Sequence, residues 1–112
     1  MFINNFTNSE PTPADVDYNL YFPSVNSSVT TFIWNGTNYS GFSAYQAATK
    51  LGSHSSYADP LFLNLTTPDL HIGATSPAVN TGTDLGAVVG TVDFEGNPRT
   101  KGSSIDIGAY EE

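Results

Sequence analysis

The sequence predicts an all-β fold, and three observations support that prediction. Glycine and proline number 10 and 7 among the 112 residues, and they recur at short intervals that divide the chain into many short segments. Several of these segments alternate apolar and polar side chains with a period of two residues, which is typical of strands with one solvated face. Most of the hydrophobic residues, which make up 38% of the chain, are β-branched or aromatic.

Five segments carry the alternation and are the predicted strands. Their apolar side chains fall on one face, and polar or aromatic side chains fall on the other. The same punctuation by glycine and proline also allows an antiparallel β-sandwich, which is the alternative fold. The five segments are residues 16–22, 29–34, 61–65, 88–94 and 105–110.

One segment departs from the strand pattern and predicts a short helix at residues 43–51. Ser43 is placed as its N-cap, and Gln46 three residues later completes a capping box. Gly52 suits the left-handed position that follows a helix. The predicted buried face repeats at helical spacing and consists of Ala44, Ala47, Ala48 and Leu51.

Charge and composition exclude several classes of function. The formal net charge is −8 at pH 7, with Lys50, Arg99 and Lys101 as the three cations. Nucleic acid is excluded as a partner, because its phosphates require a basic surface. No apolar run approaches the ~20 residues of a membrane span, and the absence of cysteine excludes a Cys-ligated metal site. The first residues lack the pattern of a signal peptide, and the length predicts a single domain, 1–112.

Three blocks of sequence occur in a recognisable order. They are DYNLY at 17–21; YADPLFLN at 57–64 with DLHI at 69–72 and SPAVNTG at 76–82; and DFEGNPR at 93–99 with DIGAYE at 106–111. In this order the blocks resemble the C-terminal end of secreted bacterial right-handed parallel β-helix proteins, the pectate-lyase-like superfamily.

The resemblance implies a more specific fold and a cellular setting. It implies a short right-handed parallel β-helix fragment, with coils over about 1–83 and a closing segment over about 84–112. Proteins of this family are several times longer, so the chain is expected to be a terminal fragment. An extracellular or cell-surface location is implied in the same way.

Three functions remain open at this stage. The first is a non-catalytic terminal portion of an extracellular carbohydrate-associated protein, structural or weakly sugar-binding. The second is a fragment of a polysaccharide lyase or glycoside hydrolase, although the scarcity of cations weighs against catalysis on an acidic polysaccharide. The third is a self-assembling module. No cofactor is assigned; Ca²⁺ is considered only as an ion that bridges to an acidic polysaccharide.

Exposed aromatic side chains are the candidate carbohydrate contacts. Tyrosine and tryptophan offer an apolar face for stacking against a sugar and a polar group for hydrogen bonding. Ordinary packing on a sheet is the alternative explanation for them. The candidates are Tyr21, Trp34, Tyr39, Tyr45 and Tyr57.

Charged residues near the C-terminus predict a structural ion pair. Arg99 lies in sequence between Asp93 and Asp106, and a pair with them would hold the final loop in place. A lyase would instead use Arg99 as a base or a carboxylate clamp. No catalytic residue and no metal ligand is assigned from this group.

The remaining candidates are two acidic residues and the two histidines. Asp59 and Asp69 could act as paired carboxylates on a glycoside, although both suit turn-forming positions better. His54 and His71 could serve with Asp59 as a metal site or a base, but a hydrogen-bonded structural histidine is the default.

The N-terminal residues predict how the chain associates. Residues 2–7 carry no charge, and Phe2, Ile3 and Phe6 would expose apolar surface at an open end, which would pair with a second copy. The expected assembly is a two-fold homodimer joined through residues 2–7 and neighbouring strands.

Overall fold

The computed structural model describes residues 16–23, 30–67 and 69–112. These ranges contain six β-strands, one α-helix and one 3₁₀ helix. In chain order they are β1 (Leu20–Tyr21), β2 (Thr31–Trp34), β3 (Thr37–Ser40), α1 (Phe42–Thr49), β4 (Ser56–Tyr57), β5 (Phe62–Asn64), β6 (Asp69–Ile72) and the 3₁₀ helix Gly86–Val88.

The strands form three separate two-stranded sheets. β1 pairs with β4 in parallel, β2 pairs with β3 in antiparallel fashion, and β5 pairs with β6 in antiparallel fashion with a register shift between Phe62 and Asn64. Asn35 and Gly36 link β2 to β3, and both have positive φ, at 46° and 74°. An Asn-Gly pair favours that conformation, which closes a tight hairpin.

The prediction of a parallel β-helix fragment is therefore wrong. Within the described ranges no sheet has more than two strands, and only β1 and β4 run parallel. A β-helix coil requires wide corners, whereas the turns at 35–36 and 65–67 reverse the chain so that neighbouring segments pair antiparallel. The alternative β-sandwich is also absent from these residues, because two-stranded sheets do not form two facing layers.

Three of the predicted strands fail for local reasons. The segment 16–22 is extended only at β1, because Tyr18 adopts a positive φ of 54° and its N–H bonds to the Asp17 side chain. The segments 88–94 and 105–110 contain Gly90 at φ 82° and Gly108 at φ 151°, which interrupt an extended chain. Of these two segments, only Val92 forms a β-bridge, an isolated pairing with Pro98.

The predicted helix forms as α1, but its ends and its buried face differ from the prediction. Gly41 occupies the N-cap without a side-chain hydrogen bond, and Lys50 takes the left-handed C-terminal position. The Gln46 side chain donates to the Gly52 carbonyl at 2.6 Å, so the capping box with Ser43 is wrong.

Tyr45 is the residue of α1 that enters the core. It is fully buried, whereas Ala44, Ala47 and Ala48 are exposed. A tyrosine ring buries more apolar surface than a small alanine face, so it decides the orientation of the helix. The predicted alanine face is therefore wrong, although Leu51 beyond the helix is buried as expected.

An aromatic core joins α1, the β2–β3 hairpin and β1. Phe32 stacks on Tyr45 with ring centroids 5.1 Å apart and meets Tyr21 edge-on at 5.4 Å. Trp34, Tyr39 and Phe42 pack around these buried rings. Aromatic pairs of this kind each contribute about 0.5–1.5 kcal/mol beyond the burial of their surface.

Candidate functional sites

An apolar groove lies between β1, the β5–β6 hairpin and residues 107–110. Its cavity volume is about 460 Å³, and Asp59 is the one charged residue among the described residues that line it. The Asp59 carboxylate accepts a hydrogen bond from the Leu61 N–H at 2.9 Å, which forms the turn into β5. The exposed side chains that line the groove are Phe22, Phe62, Leu65 and Leu70.

These four side chains present an unusual amount of apolar surface. Their exposed fractions are 41%, 37%, 68% and 45% in chain order. With roughly 180 Å² for a fully exposed side chain of this size, they present about 350 Å², which is the scale of a functional patch on a small protein. All three residues of β5 are exposed, because within the described residues its hairpin is not covered by a second layer.

His71 lies beside the groove and connects β6 to the closing segment through contacts with Glu95 and Tyr110. His71 Nδ1 lies 2.6 Å from an Asp69 oxygen, and Nε2 lies 3.2 Å from Glu95. The imidazole stacks on Tyr110, with ring centroids 4.0 Å apart. Hydrogen bonds from His71 to Asp69 and Glu95 raise the pKa of the imidazole, and the same contact lowers the pKa of Asp69.

A second histidine, His54, forms a dyad with Asp17. His54 Nδ1 lies 2.7 Å from Asp17 Oδ2, and the backbone N–H of His54 donates to Asp17 Oδ1 at 2.7 Å. The Ser53 hydroxyl donates to the same carboxylate at 3.2 Å. Burial opposes ionisation of Asp17, but these hydrogen bonds and one from the Tyr18 N–H outweigh it and lower its pKa to about 2.

Asp17 and His54 also line a second cavity, the His54 pocket, with a volume of about 620 Å³. Tyr18 stacks on the imidazole with ring centroids 4.8 Å apart and an interplanar angle of 5°. Arg99 and Asp106 line the same cavity. His54 and three charged residues, Asp17, Asp106 and Arg99, are therefore among the described residues that line this open pocket.

The structure corrects the predicted ion pair. Arg99 Nε lies 3.4 Å from Glu111 Oε1, so Glu111 is its carboxylate partner and not Asp93 or Asp106. The Arg99 guanidinium also donates to the Gly108 carbonyl at 3.0 Å. Burial is the main cause that raises the pKa of Glu111, whose side chain is 1% exposed.

Asp93 and Asp106 instead hold backbone N–H groups. Asp93 accepts from the N–H of Glu95, Asn97 and Glu111. Burial acts to raise the pKa of Asp93, but the hydrogen bonds that its carboxylate accepts, chiefly from Asn97, outweigh burial and lower that pKa.

Asp106 accepts from the Asn80 N–H at 2.7 Å and the Glu112 N–H at 2.9 Å. Both aspartates are buried. The final loop is thus held by carboxylates bound to backbone, with one ion pair beside them.

The five aromatic residues predicted to contact carbohydrate all lie in or around the aromatic core. Tyr21 and Tyr45 are buried, so neither face of their rings is open to a ligand. Burial of Tyr45 raises the pKa of its hydroxyl to about 12. Trp34 and Tyr39 are partly buried against Tyr45. Tyr57 is the fifth of these residues. It is exposed, and its hydroxyl forms a hydrogen bond with the Thr30 side chain.

The structure gives the other predicted site residues separate roles. Asp59 shapes the turn before β5, and Asp69 binds His71, so each carboxylate has its own hydrogen-bonding partner. His54 and His71 belong to different clusters. Residues 16–23, 30–67 and 69–112 contain no group of three or more His, Cys, Asp or Glu side chains suited to a metal ion.

Sequence reasoning missed several of the residues that build these sites. Asp17 and Glu111 were not singled out, although each binds a predicted residue. The Asp17–His54 contact spans 37 positions and has no local sequence signal. The His-Asp spacing of two residues at 69–71 is the one signal that could have predicted a contact, since alternate residues of a strand share a face.

Comparisons with known proteins leave the interpretation to the geometry. No family model, no curated protein and no solved structure matches the chain. In the part of the chain that the structure describes, no helix is long and apolar enough to cross a bilayer.

Proposed function

We propose that this chain is an association module that pairs with a second copy of itself through the apolar groove. The observation that carries the proposal is the exposure of Phe22, Phe62, Leu65 and Leu70 around one groove. Contiguous apolar surface of this extent is typical of interaction sites in small soluble proteins.

The area of the groove suits a modest interface. A stable complex buries about 800 Å² on each partner, of which somewhat more than half, about 450 Å², is apolar. The four groove side chains supply about 350 Å² by the same reckoning. Leu61 and Leu63 lie exposed on the same hairpin and can add to the contact. The expected dimer is therefore reversible and depends on the concentration of the chain.

Charge favours a second copy over a charged partner. The groove contributes one charge, that of Asp59, whereas the whole chain carries −8. An interface built on a nearly neutral face avoids close approach of like charges, although the two chains still repel at longer range. Added salt screens that repulsion and should strengthen self-association, whereas it would weaken binding to a cationic partner.

This proposal changes the position of the predicted dimer interface. The earlier expectation placed the interface at residues 2–7, which lie outside the described residues. The groove supplies an interface that the contacts of described residues support. The extracellular, carbohydrate-associated setting implied by the sequence resemblance stays a prediction, as does sugar binding.

Light scattering coupled to size-exclusion chromatography tests the proposal. The expected mass at high micromolar concentration is twice 11.9 kDa, with dissociation on dilution. Leu65→Asp should give a folded monomer. Val88→Asp is the matched control, because Val88 is also apolar and exposed but lies on the 3₁₀ helix and is not among the residues that line the groove.

Two results would count against the groove as the interface. One is a wild-type chain that remains monomeric at all concentrations and salt levels. The other is a dimer that Leu65→Asp and Val88→Asp leave equally intact.

A further inference from the structure

The Asp17 carboxylate is fixed and charged beneath His54. Its side chain is 9% exposed, and the His54, Ser53 and Tyr18 donors surround it. Such a carboxylate is ionised at neutral pH and can only accept hydrogen bonds. It therefore selects the form of His54 in which Nδ1 carries the proton.

That tautomer leaves the other imidazole nitrogen as a free acceptor. Within the described ranges no hydrogen bond engages His54 Nε2, and 61% of the His54 side chain is exposed. The stacked ring of Tyr18 holds the plane of the imidazole. A carboxylate on one nitrogen and a free lone pair on the other form the arrangement of an oriented general base.

The His54 pocket has the size and the lining of a small-molecule site. Its volume of about 620 Å³ falls in the range of ligand cavities, and Leu85, Val89 and Ile105 give it apolar walls. Its charged groups besides Asp17 are Asp106 and Arg99. Because Glu111 already pairs with Arg99, the negative charges of Asp17 and Asp106 are not balanced by a cation of the described lining. This excess of negative charge disfavours an anionic ligand, so the pocket suits a neutral one.

We infer that His54 is the general base of a hydrolytic site for small neutral esters, and that Asp17 is its positioning residue. Ser53 is excluded as a nucleophile, because its hydroxyl lies 3.2 Å from Nδ1, the nitrogen that faces Asp17. Water is therefore the nucleophile. This activity is separate from self-association through the groove.

The step balances with water alone. His54 Nε2 takes a proton from water while the water oxygen bonds to the ester carbonyl carbon, and the carbonyl π electrons move to its oxygen. The tetrahedral intermediate then collapses, the C–O bond to the alcohol breaks, and the imidazolium returns the proton to the leaving oxygen.

Hydrolysis of 4-nitrophenyl acetate by the full chain tests the inference. His54→Gln should lower the rate above buffer by at least about tenfold, since general bases contribute about 10²–10⁴-fold. His71→Gln is the matched control, because His71 is also an imidazole held by a carboxylate but lies outside the pocket. Equal rates in wild type and His54→Gln, or equal losses in both variants, would overturn the inference.

The split between kcat and KM separates positioning by Asp17 from a purely structural role. Asp17→Asn should lower kcat with little change in KM, because the imidazole loses the carboxylate that fixes its orientation while the apolar lining of the pocket remains. A folded Asp17→Asn whose kcat equals that of the wild type would refute the positioning role.

Two measurements on the wild-type chain keep the inference testable if Asp17→Asn does not fold. Nitrogen-15 NMR of the neutral form of the imidazole should show a protonated Nδ1 and an unprotonated Nε2; the opposite tautomer would overturn the inference. Hydrolysis should also show a normal solvent deuterium isotope effect. The absence of that effect, with an acetylated His54, would indicate a nucleophile and contradict the role of a base.

Discussion

Substitution of Gly82 by alanine tests how closely the chain packs around Gly82 and Ile105. A Cβ built there would lie 2.8 Å from Ile105 Cγ1 and 2.9 Å from the Ile105 carbonyl oxygen. The carbonyl cannot withdraw easily, because it accepts the Gly82 N–H at 2.8 Å. Gly82→Ala should therefore push the segment around Gly82 away from the segment around Ile105.

The magnitude follows from two opposing effects. Overpacking of this kind costs about 1–3 kcal/mol, whereas replacing glycine by alanine lowers the entropy of the unfolded chain and returns about 0.4–1 kcal/mol. Gly82→Ala should destabilise the chain by about 1–2 kcal/mol. Gly73→Ala is the control, because a Cβ there meets no atom within 4 Å and its φ is not in the positive region.

Urea unfolding measured by circular dichroism distinguishes the two variants. For a chain of this size, with a slope of about 1–1.5 kcal/mol per molar, Gly82→Ala should lower the midpoint by about 1 M. Gly73→Ala should leave the midpoint unchanged or raise it slightly. If both variants shift the midpoint in the same direction by the same amount, the close approach between Gly82 and Ile105 does not exist in solution.

Three further predictions concern buried or paired polar groups. Arg99→Ala leaves Glu111 buried without its cation and should cost about 3 kcal/mol, whereas Lys101→Ala should change the melting temperature much less. The pKa of His71 is higher in the folded chain than in the unfolded chain. Its contribution to stability is therefore complete below the unfolded-state pKa and is lost as the pH rises through the folded-state pKa. His71→Gln should flatten this part of the plot of stability against pH. Tyr45→Phe removes a buried hydroxyl that forms no hydrogen bond with any described residue, and it should leave stability unchanged or raise it by up to about 1 kcal/mol, as thermal unfolding would show.

Local sequence signals predicted local structure in this chain. The helix was predicted because its spacing and punctuation lie within ten residues, and α1 spans Phe42–Thr49. Its orientation was not predictable in the same way, since the partner rings that bury Tyr45 come from β2 and β3. Asn35 and Gly36 carry a strong hairpin signal, but the prediction from the sequence did not use it.

The sites depend on contacts that are distant in sequence. Asp17 reaches His54, and Arg99 meets Glu111 rather than the nearer Asp93, because the fold decides which carboxylate is buried beside which cation. Alternation alone could not distinguish the β5–β6 hairpin from a β-helix coil, since both have a period of two residues. The groove follows from that hairpin, so it was not predictable from the pattern either.

The central claim is that two copies of this chain meet at the apolar groove. An isotope-filtered NOE experiment on a mixture of labelled and unlabelled chains tests it directly, because it detects only contacts between different molecules. The groove interface predicts intermolecular NOEs from the methyl groups of Leu65 and Leu70 to the rings of Phe22 and Phe62. A dimer whose intermolecular NOEs involve other surfaces, or a sample with none at high concentration, would contradict the claim.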